Sequence, residues 1–432
     1  MSRRRAAALA SGMLMLLTVS LSAQGAPDRT AADPMTMAKA VQEAIDNNLE
    51  LMSEKYGIPV AEAARISAAL RPNPVISVSA DHLDWLGTGY NLINNGGPPE
   101  YSVRVDWPIE RAHKRELRLE TAQYARQIAE IQIQDFIRKL RNDVDLASVD
   151  AIAAKADLQL ARDNYKTLEN LVSLNESRVK AGSISPLELT RSRVAMLQFR
   201  ANVSRAELSL LQAQTRLQAL LGRKPGSNLV DITDDLSVSG QNLPLELGHL
   251  EDLSRQHRPD LAAAVLTQTR SQADLRLQIA QGKIDYTVGS EYRRQQGLSG
   301  TSNSVGLFFS APLPFYNRNQ GEIARAEAER QQITSRITAL QFSISSEVKT
   351  AYQSFASSRT LVQEIENNLL KPAQEARDTV GYTYKSGAST LIEFLDAQRA
   401  FNDTMQSYYQ AKADYLRAIV ALTSAVGTEI VP

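Results

Sequence analysis

Two periods alternate along the chain. Leu189, Met196, Val203, Leu210 and Leu217 recur every seven residues, and so do Phe394, Phe401, Tyr408, Tyr415 and Leu422. A seven-residue spacing describes a slightly under-wound helix that holds one apolar seam against its neighbours. Helical patterns extend over Pro34 to about Leu70, about Arg111 to Lys180, and Ile184 to Leu221. They return over Leu250 to about Lys283, about Asn317 to Lys385, and Ser389 to Val426. The two long helices would each measure roughly 100 Å at 1.5 Å per residue. In each half the two shorter helices sum to about that length. Stacked end to end, they can run beside the long one. The expected body is a bundle of rods.

Between the helices the period falls to two. Tyr101, Val103, Val105, Trp107 and Ile109 share one face, against Ser102, Arg104 and Asp106 on the other. Ile76, Val78 and Ala80 alternate with Ser77, Ser79 and Asp81. Tyr286, Val288 and Tyr292 alternate with Asp285, Thr287 and Glu291. In SVGLFFSAPL, Val305, Leu307, Phe309, Ala311 and Leu313 form the apolar side, and Phe308 spoils the polar one. Each run approximates the 9–11 residues of a tilted membrane strand, one side for lipid and one for water. The connections GTGYNLINNGGPP and QQGLSGTSN read as exposed loops. Four strands cannot close a spanning barrel, and an open edge in lipid leaves backbone groups unsatisfied. Strands that enter a membrane therefore require several chains to share one barrel. Two soluble hairpins capping a helical bundle is the other reading of the same pattern.

The halves also repeat at a constant offset of 205, as from Gly182 to Gly387. Lys180 matches Lys385, Glu188 matches Glu393, Ala195 matches Ala400, and Gly222 matches Gly427. Both heptad seams obey the same offset, so the repeat precedes any other assignment. The division is 1–26, a signal peptide; 27–229, the first repeat; 230–249, a linker; and 250–432, the second repeat. The signal peptide is read from Arg3, Arg4 and Arg5, the apolar run to Leu21, and small residues around Ala23 and Ala26.

Composition narrows the chemistry. Lys and Arg total 48, as do Asp and Glu, so no charge excess points to nucleic acid. With no cysteine, disulfides, thiolate ligands and thiol nucleophiles are excluded. His82, His113, His249 and His257 lack metal-ligand spacing, and no HExxH, phosphate loop or GxSxG occurs. The expectation is a protein that is not an enzyme, with no cofactor and no metal site.

Signal peptide, paired repeats, two strand pairs, long rods and glycine turns together resemble the TolC family of outer-membrane efflux proteins. PLPFYNRNQGEI (312–323) and WPIERAHKREL (107–117) are similar to segments of its cobalt–zinc–cadmium resistance branch. The second is similar to that branch's P-I-E-x-G-G-K-R, with Ala112 and His113 in place of the two glycines. The resemblance implies an α+β membrane protein: a homotrimer with a shared twelve-stranded β-barrel continuous with an α-helical barrel. It also implies a periplasmic adaptor and an inner-membrane transporter as partners, outer-membrane lipid around the barrel, and heavy-metal cations as cargo. The stretch 222–244 would form an equatorial belt. Lys180, Gly182, Ser183, Lys385, Gly387 and Ala388 would be adaptor-docking tips, and Glu393, Asp396 and Glu188 would ring the channel entrance. Read bottom-up, Pro312 and Pro314 mark a switch from strand to rod, and Asn319 with Glu322 has capping-box spacing. Type I secretion, efflux of small organic compounds, and a pore-free periplasmic scaffold remain as alternative functions.

Overall fold

A computed structural model describes residues 33–87, 89, 98–237, 246–297 and 300–430. The signal-peptide reading and most of the first glycine-rich loop fall outside them. The first half contains β1 (Asp33–Met35), α1 (Met37–Asn47), α2 (Leu49–Lys55), α3 (Gly57–Ala69), β2 (Val75–Asp81), β3 (Glu100–Ile109), α4 (Lys114–Lys180) and α5 (Pro186–Leu220). After β4 (Val230–Ile232), the second half contains α6 (Leu247–His257), α7 (Pro259–Gln281), β5 (Tyr286–Gly297), β6 (Gly300–Ser310), α8 (Gln320–Asn368), α9 (Leu370–Ser386) and α10 (Leu391–Val426). α4 is 67 residues long, or about 100 Å of unbroken helix.

The rods pack along the seams that the heptads anticipate. Tyr415 and Leu422 are fully buried beside Ile344, Val348 and Phe355 of α8. Leu217 is fully buried against Val144 and Ala147 of α4. Each such aliphatic side chain stabilises the bundle by about 1.5–3 kcal/mol.

Three expectations are corrected. The helix expected from Pro34 to Leu70 is broken twice, at Asn48 and Tyr56. Asn48 is extended (φ −63°, ψ 121°) and caps α2, its side chain accepting from Leu51 N at 2.9 Å. The rod expected from Asn317 to Lys385 is broken at Leu369. Pro372 lies three residues on; it offers no N–H to the carbonyl of residue 368 and its ring crowds that carbonyl. Finally, the start of the 230–249 linker is ordered. Val230–Ile232 pairs in parallel with Asp33–Met35, and Val230 and Ile232 are buried.

At mid-height the two halves solve one problem alike. The last carbonyls of a helix lack intrahelical donors. Leu220 O of α5 accepts from Asn48 Nδ2 at 2.9 Å, and Ala425 O of α10 accepts from Arg258 Nη1 at 3.2 Å. Leu220 and Ala425 are themselves 205 residues apart. Gly222 and Gly427 follow with φ of 70° and 83°. A Cβ on Gly222 would stand 2.3 Å from Asn47 O, and one on Gly427 3.1 Å from His257 O.

Candidate functional site

The strands form one antiparallel sheet in the order β2–β3–β5–β6, which leaves β2 and β6 as free edges. Register places Val75, Asp106, Gly289 and Phe308 in one row, and Ser77, Arg104, Glu291 and Gly306 in the next but one. Directly opposed residues share a face. Apolar residues therefore collect mainly on one side, with Ser290, Arg294 and Asn303 among them, and polar residues on the other, with Val75 and Phe308 among them. The apolar side is open, with Leu307 83% exposed; on the polar side Ser102 and Glu291 are under 10% exposed. A sheet in water buries its apolar side; this one is the reverse.

Polar residues satisfy one another on this side, once between strands and twice along a single strand. Ser79 and Ser102 hydroxyls meet at 2.9 Å, Arg104 Nη2 donates to Asp106 Oδ1 at 2.8 Å, and Arg293 Nε donates to Glu291 Oε1 at 2.9 Å. Phe308, the exception to the alternation, lies on this polar side. Arg104 stacks over its ring at 4.2 Å, and its own ring covers the gap at Gly306. β5 and β6 extend to Gly297 and from Gly300, so QQGLSGTSN is mostly strand rather than loop. Tyr292 OH donates to Asn303 Oδ1 at 2.9 Å across that extension.

The junction of sheet and rods is tightly tied. Lys114 is buried, and its Nζ donates to Asp285 Oδ2 at 2.7 Å and to Lys283 O at 2.8 Å. Ala112 and His113, at the two positions where the similar segment carries glycine, both adopt φ 57°. The expected Asn319–Glu322 capping box does not form. Asn319 sits at φ 63° and turns its amide onto Gln278 O at 2.8 Å, while Glu322 pairs with Arg325 at 2.6 Å.

At the far end lie the two glycine turns. Gly182 has φ 72° and Gly387 has φ 83°. Ser183 N reaches back to Arg178 O at 2.8 Å and Ala388 N to Thr383 O at 2.8 Å, so each turn closes the end of its helix in the same way. Lys180, Gly182 and Ser183 are exposed, as are Lys385, Gly387 and Ala388. Arg178 connects the two turns: its guanidinium donates to Tyr384 O at 3.2 Å and Lys385 O at 2.5 Å. Beneath it Tyr384 is buried, donating from its hydroxyl to Asn175 Oδ1 at 2.7 Å and packing on Phe394. Burial pushes the Tyr384 hydroxyl pKa up.

The acidic candidates differ in freedom. Glu393 closes a full capping box with Thr390: Thr390 N donates to Glu393 Oε2 at 2.7 Å, and Glu393 N donates to Thr390 Oγ1 at 3.3 Å. Asp396, one turn on, is exposed and 3.8 Å from Arg399. Glu188 is half-buried at the matching position of α5, where Ser185 accepts from Glu188 N at 3.4 Å. Both S/T-x-x-E signatures, at Ser185 and Thr390, are visible in the sequence at the 205 offset. Arg178 and Asn175 carry no such signal, because their partners lie more than 200 residues away. Among the described residues no group of three or more His, Asp or Glu could hold a metal ion, and no helix is long and apolar enough to cross a membrane.

The sequence profile described as "Outer membrane efflux protein" matches residues 40–223 and 250–428. The cobalt-zinc-cadmium resistance protein CzcC of Cupriavidus metallidurans is 23% identical over 388 residues, covering 90% of this chain and 87% of CzcC. The cation efflux system protein CusC of Escherichia coli K12 is 24% identical, over 63% of this chain and 61% of its own. The pyoverdine export outer membrane protein OpmQ of Pseudomonas aeruginosa is 26% identical, over 64% and 58%. In fold, the chain superposes on the outer-membrane channel OprN with a TM-score of 0.74 at 19% identity, covering 93% of each chain. CusC gives 0.74 at 19% identity, covering 91% of this chain and 92% of CusC. The chain belongs to the outer membrane efflux protein family, a family of outer-membrane channels rather than enzymes.

Proposed function

We propose that this chain is the exit duct of a tripartite efflux pump. Three copies close a twelve-stranded barrel in the outer membrane, and their rods form a tunnel across the periplasm. A signal peptide (1–26) precedes two repeats (27–229 and 250–432) joined by the 230–249 linker. The observation that carries the reading is the sheet: its apolar side is open, its polar side is buried at Ser102 and Glu291 of the central strands, and among the described residues both edges are free. Free edges are tolerable in lipid only if another copy pairs with them.

Heavy-metal cations are the proposed cargo, delivered by an inner-membrane transporter through a periplasmic adaptor. Similarity to CzcC and CusC supports this. The likeness to pyoverdine-export proteins favours small organic compounds as a second cargo class. The exposed turns at Lys180–Ser183 and Lys385–Ala388 are the adaptor contacts. Glu188, Glu393 and Asp396 surround the periplasmic entrance, where threefold symmetry gathers carboxylates that attract cations. Asp396 is the freest of these, because Glu393 also caps α10.

Purified protein in planar bilayers tests the duct: ion conductance by a trimer is expected, and a non-conducting monomer rejects it. Asp396→Asn should lower cation preference; unchanged selectivity removes the entrance assignment. Deletion of the gene decides cargo, through sensitivity to divalent metals or loss of an exported organic compound.

A further inference from the structure

Along the rods, guanidiniums face carboxylates: Arg126 meets Glu62 and Glu130, and Arg325 meets Glu322 and Glu329. Where the rods meet the sheet this pattern stops. A cavity of about 420 Å³ lies at the end of β3, and Arg71, Arg111 and Arg115 all line it. Arg71 is exposed in the extended segment between α3 and β2, and its guanidinium meets no acid among the described residues. Arg111 donates to the Tyr286 hydroxyl and lies 4.5 Å over that ring. Arg115 Nε donates to Ala69 O at 2.5 Å. Both of those partners are neutral. The nearby acids are engaged elsewhere: Glu110 binds Arg118, Asp285 binds the buried Lys114 at 2.7 Å, and Glu116 stands 3.9 Å from His113. Three positive charges share one cavity without a counter-charge.

The cavity reaches the apolar side of the sheet. Ile109, part of its lining, opposes Tyr286, and Trp107 opposes Val288 on the same side. Ile109 is 46% exposed and Trp107 45%. Tyr286 also packs on Phe309, with ring centroids 5.2 Å apart. Arg111, over the Tyr286 ring, therefore stands where the apolar surface ends. Long cationic side chains at such a margin lay their stems on apolar surface and present their charge at its border. The planar guanidinium fork also matches the oxygens of a phosphate. Another copy of the chain would not neutralise the cavity. Paired edge to edge, it brings the exit of its β6 nearest to Arg71, and Ala311 to Gly321 contain no acid and add Arg318.

We infer that this cavity binds the phosphate of an anionic glycerophospholipid from the leaflet on the rod side of the membrane. Arg71 and Arg111 hold the phosphate oxygens, Arg115 offers the N–H groups that Ala69 O leaves free, and the acyl chains lie along Ile109 and Trp107. A zwitterionic headgroup binds less tightly, because its ammonium would enter a cavity that is already positive. The inference rests on the duct reading, which puts the apolar side of the sheet in lipid, and adds to it a lipid-headgroup site.

Trp107 provides a local probe, because the chain has only one other tryptophan, Trp85. The full chain carrying Trp85→Phe is reconstituted in phosphatidylcholine vesicles with increasing phosphatidylglycerol whose brominated chains quench a tryptophan in contact. Phosphatidylglycerol should be enriched at Trp107 over its share of the bilayer. Arg71→Gln should cut that enrichment about fivefold, the worth of one cation near a phosphate. It should leave the dissociation temperature of the trimer unchanged, since Arg71 has no partner within the described chain. Arg71→Gln with Arg111→Gln should bring Trp107 to the bulk composition. Arg200→Gln, which removes the same charge from an exposed site on α5, should change nothing. Bulk composition around Trp107 in the chain with all its arginines overturns the inference and leaves the duct standing, as does full enrichment in the double variant. Inorganic phosphate, titrated into the chain in a neutral detergent, separates the two sources of the anion. Binding of inorganic phosphate without enrichment of phosphatidylglycerol makes the site one for a soluble anion and overturns the lipid assignment. A chain that does not insert as a trimer overturns the duct reading, and the inference with it.

Discussion

The two mid-height joints perform one task with different chemistry. In the first half a neutral amide, Asn48, satisfies Leu220 O; in the second a buried guanidinium, Arg258, satisfies Ala425 O. Arg258 also pairs with Asp260 at 2.6 Å and Glu347 at 2.5 Å, so in the second joint the donor itself sits in an ion cluster. The ions of the first joint sit one residue past the glycine: Arg223 binds Glu43 at 2.5 Å and Asp33 at 2.9 Å. The lesson is that the two halves share the carbonyl that needs a donor and differ in the side chain that meets the need.

Unequal joints should fail unequally. The largest effect is expected from Gly222→Ala, whose new Cβ meets backbone at 2.3 Å and cannot be relieved by a rotamer change. A loss of about 4 kcal/mol is expected, against about 1–2 kcal/mol for Gly427→Ala, each read from thermal unfolding in detergent. Equal losses would show that the first joint has room that its backbone contact denies.

Next comes removal of the donors. Arg258→Ala leaves Ala425 O and two carboxylates without their partner and should cost about 3 kcal/mol. Asn48→Ala loses a cap and one long-range bond, about 1–2 kcal/mol. Burial raises the Asp260 pKa, but the hydrogen bond and charge of Arg258 outweigh it and hold the group below its ordinary value, so the Arg258 loss should shrink as pH falls and Asp260 protonates. An Asn48 loss equal to it would mean that the ion cluster adds nothing to the joint.

The second joint has a further acid. Asp145 faces Arg141 and Glu429 beside the end of α10, and burial raises its pKa from 3.8 to about 6, with Arg141 opposing and Glu429 adding. A carboxyl with a raised folded pKa binds its proton more tightly in the folded state. Stability from this group is therefore full below about pH 4 and declines as pH rises to about 6. Asp145→Asn should remove that decline and stabilise the protein at pH 7 by about 2 kcal/mol. A melting temperature with the same pH slope in the variant would show that Asp145 is solvated.

The smallest contrast is at the turns. Thr390→Ala breaks a reciprocal capping box and should cost about 1 kcal/mol, whereas Ser185→Ala breaks one bond of 3.4 Å and should cost a few tenths. Hydrogen exchange at the first turns of α5 and α10 would measure the difference directly.

Much of this architecture was legible from residue spacing. Heptads located α5 and α10, period-two runs located the four strands, and Gly182 and Gly387 located the turns. The readings that failed did so for local reasons at Leu369, beside Pro372, and elsewhere because a distant residue outweighed local pattern. The apolar spacing from Pro34 to Leu70 is helical, yet Asn48 leaves the helix to cap α2 and bind Leu220 O, 172 residues away. Phe308 contradicts a strict alternation until its place over Gly306 and beneath Arg104 is known. Of the entrance candidates, Glu393 was legible as an acidic residue after a glycine turn, but not as a carboxylate already bonded to Thr390 N.

Sequence alone determined the periods, and with them the element types, the 205-residue offset and the two faces of each strand. These follow from geometry within a few residues: 3.6 or 3.5 residues per helical turn and two per pleat. It also set a condition: four such strands, placed in lipid, need more than one chain, because unpaired backbone there is too costly. Only the tertiary structure decided which strands are the edges, which carbonyls are capped and by what, and which acids are free. Those outcomes depend on groups brought together from opposite halves of the chain, and no local period carries that information.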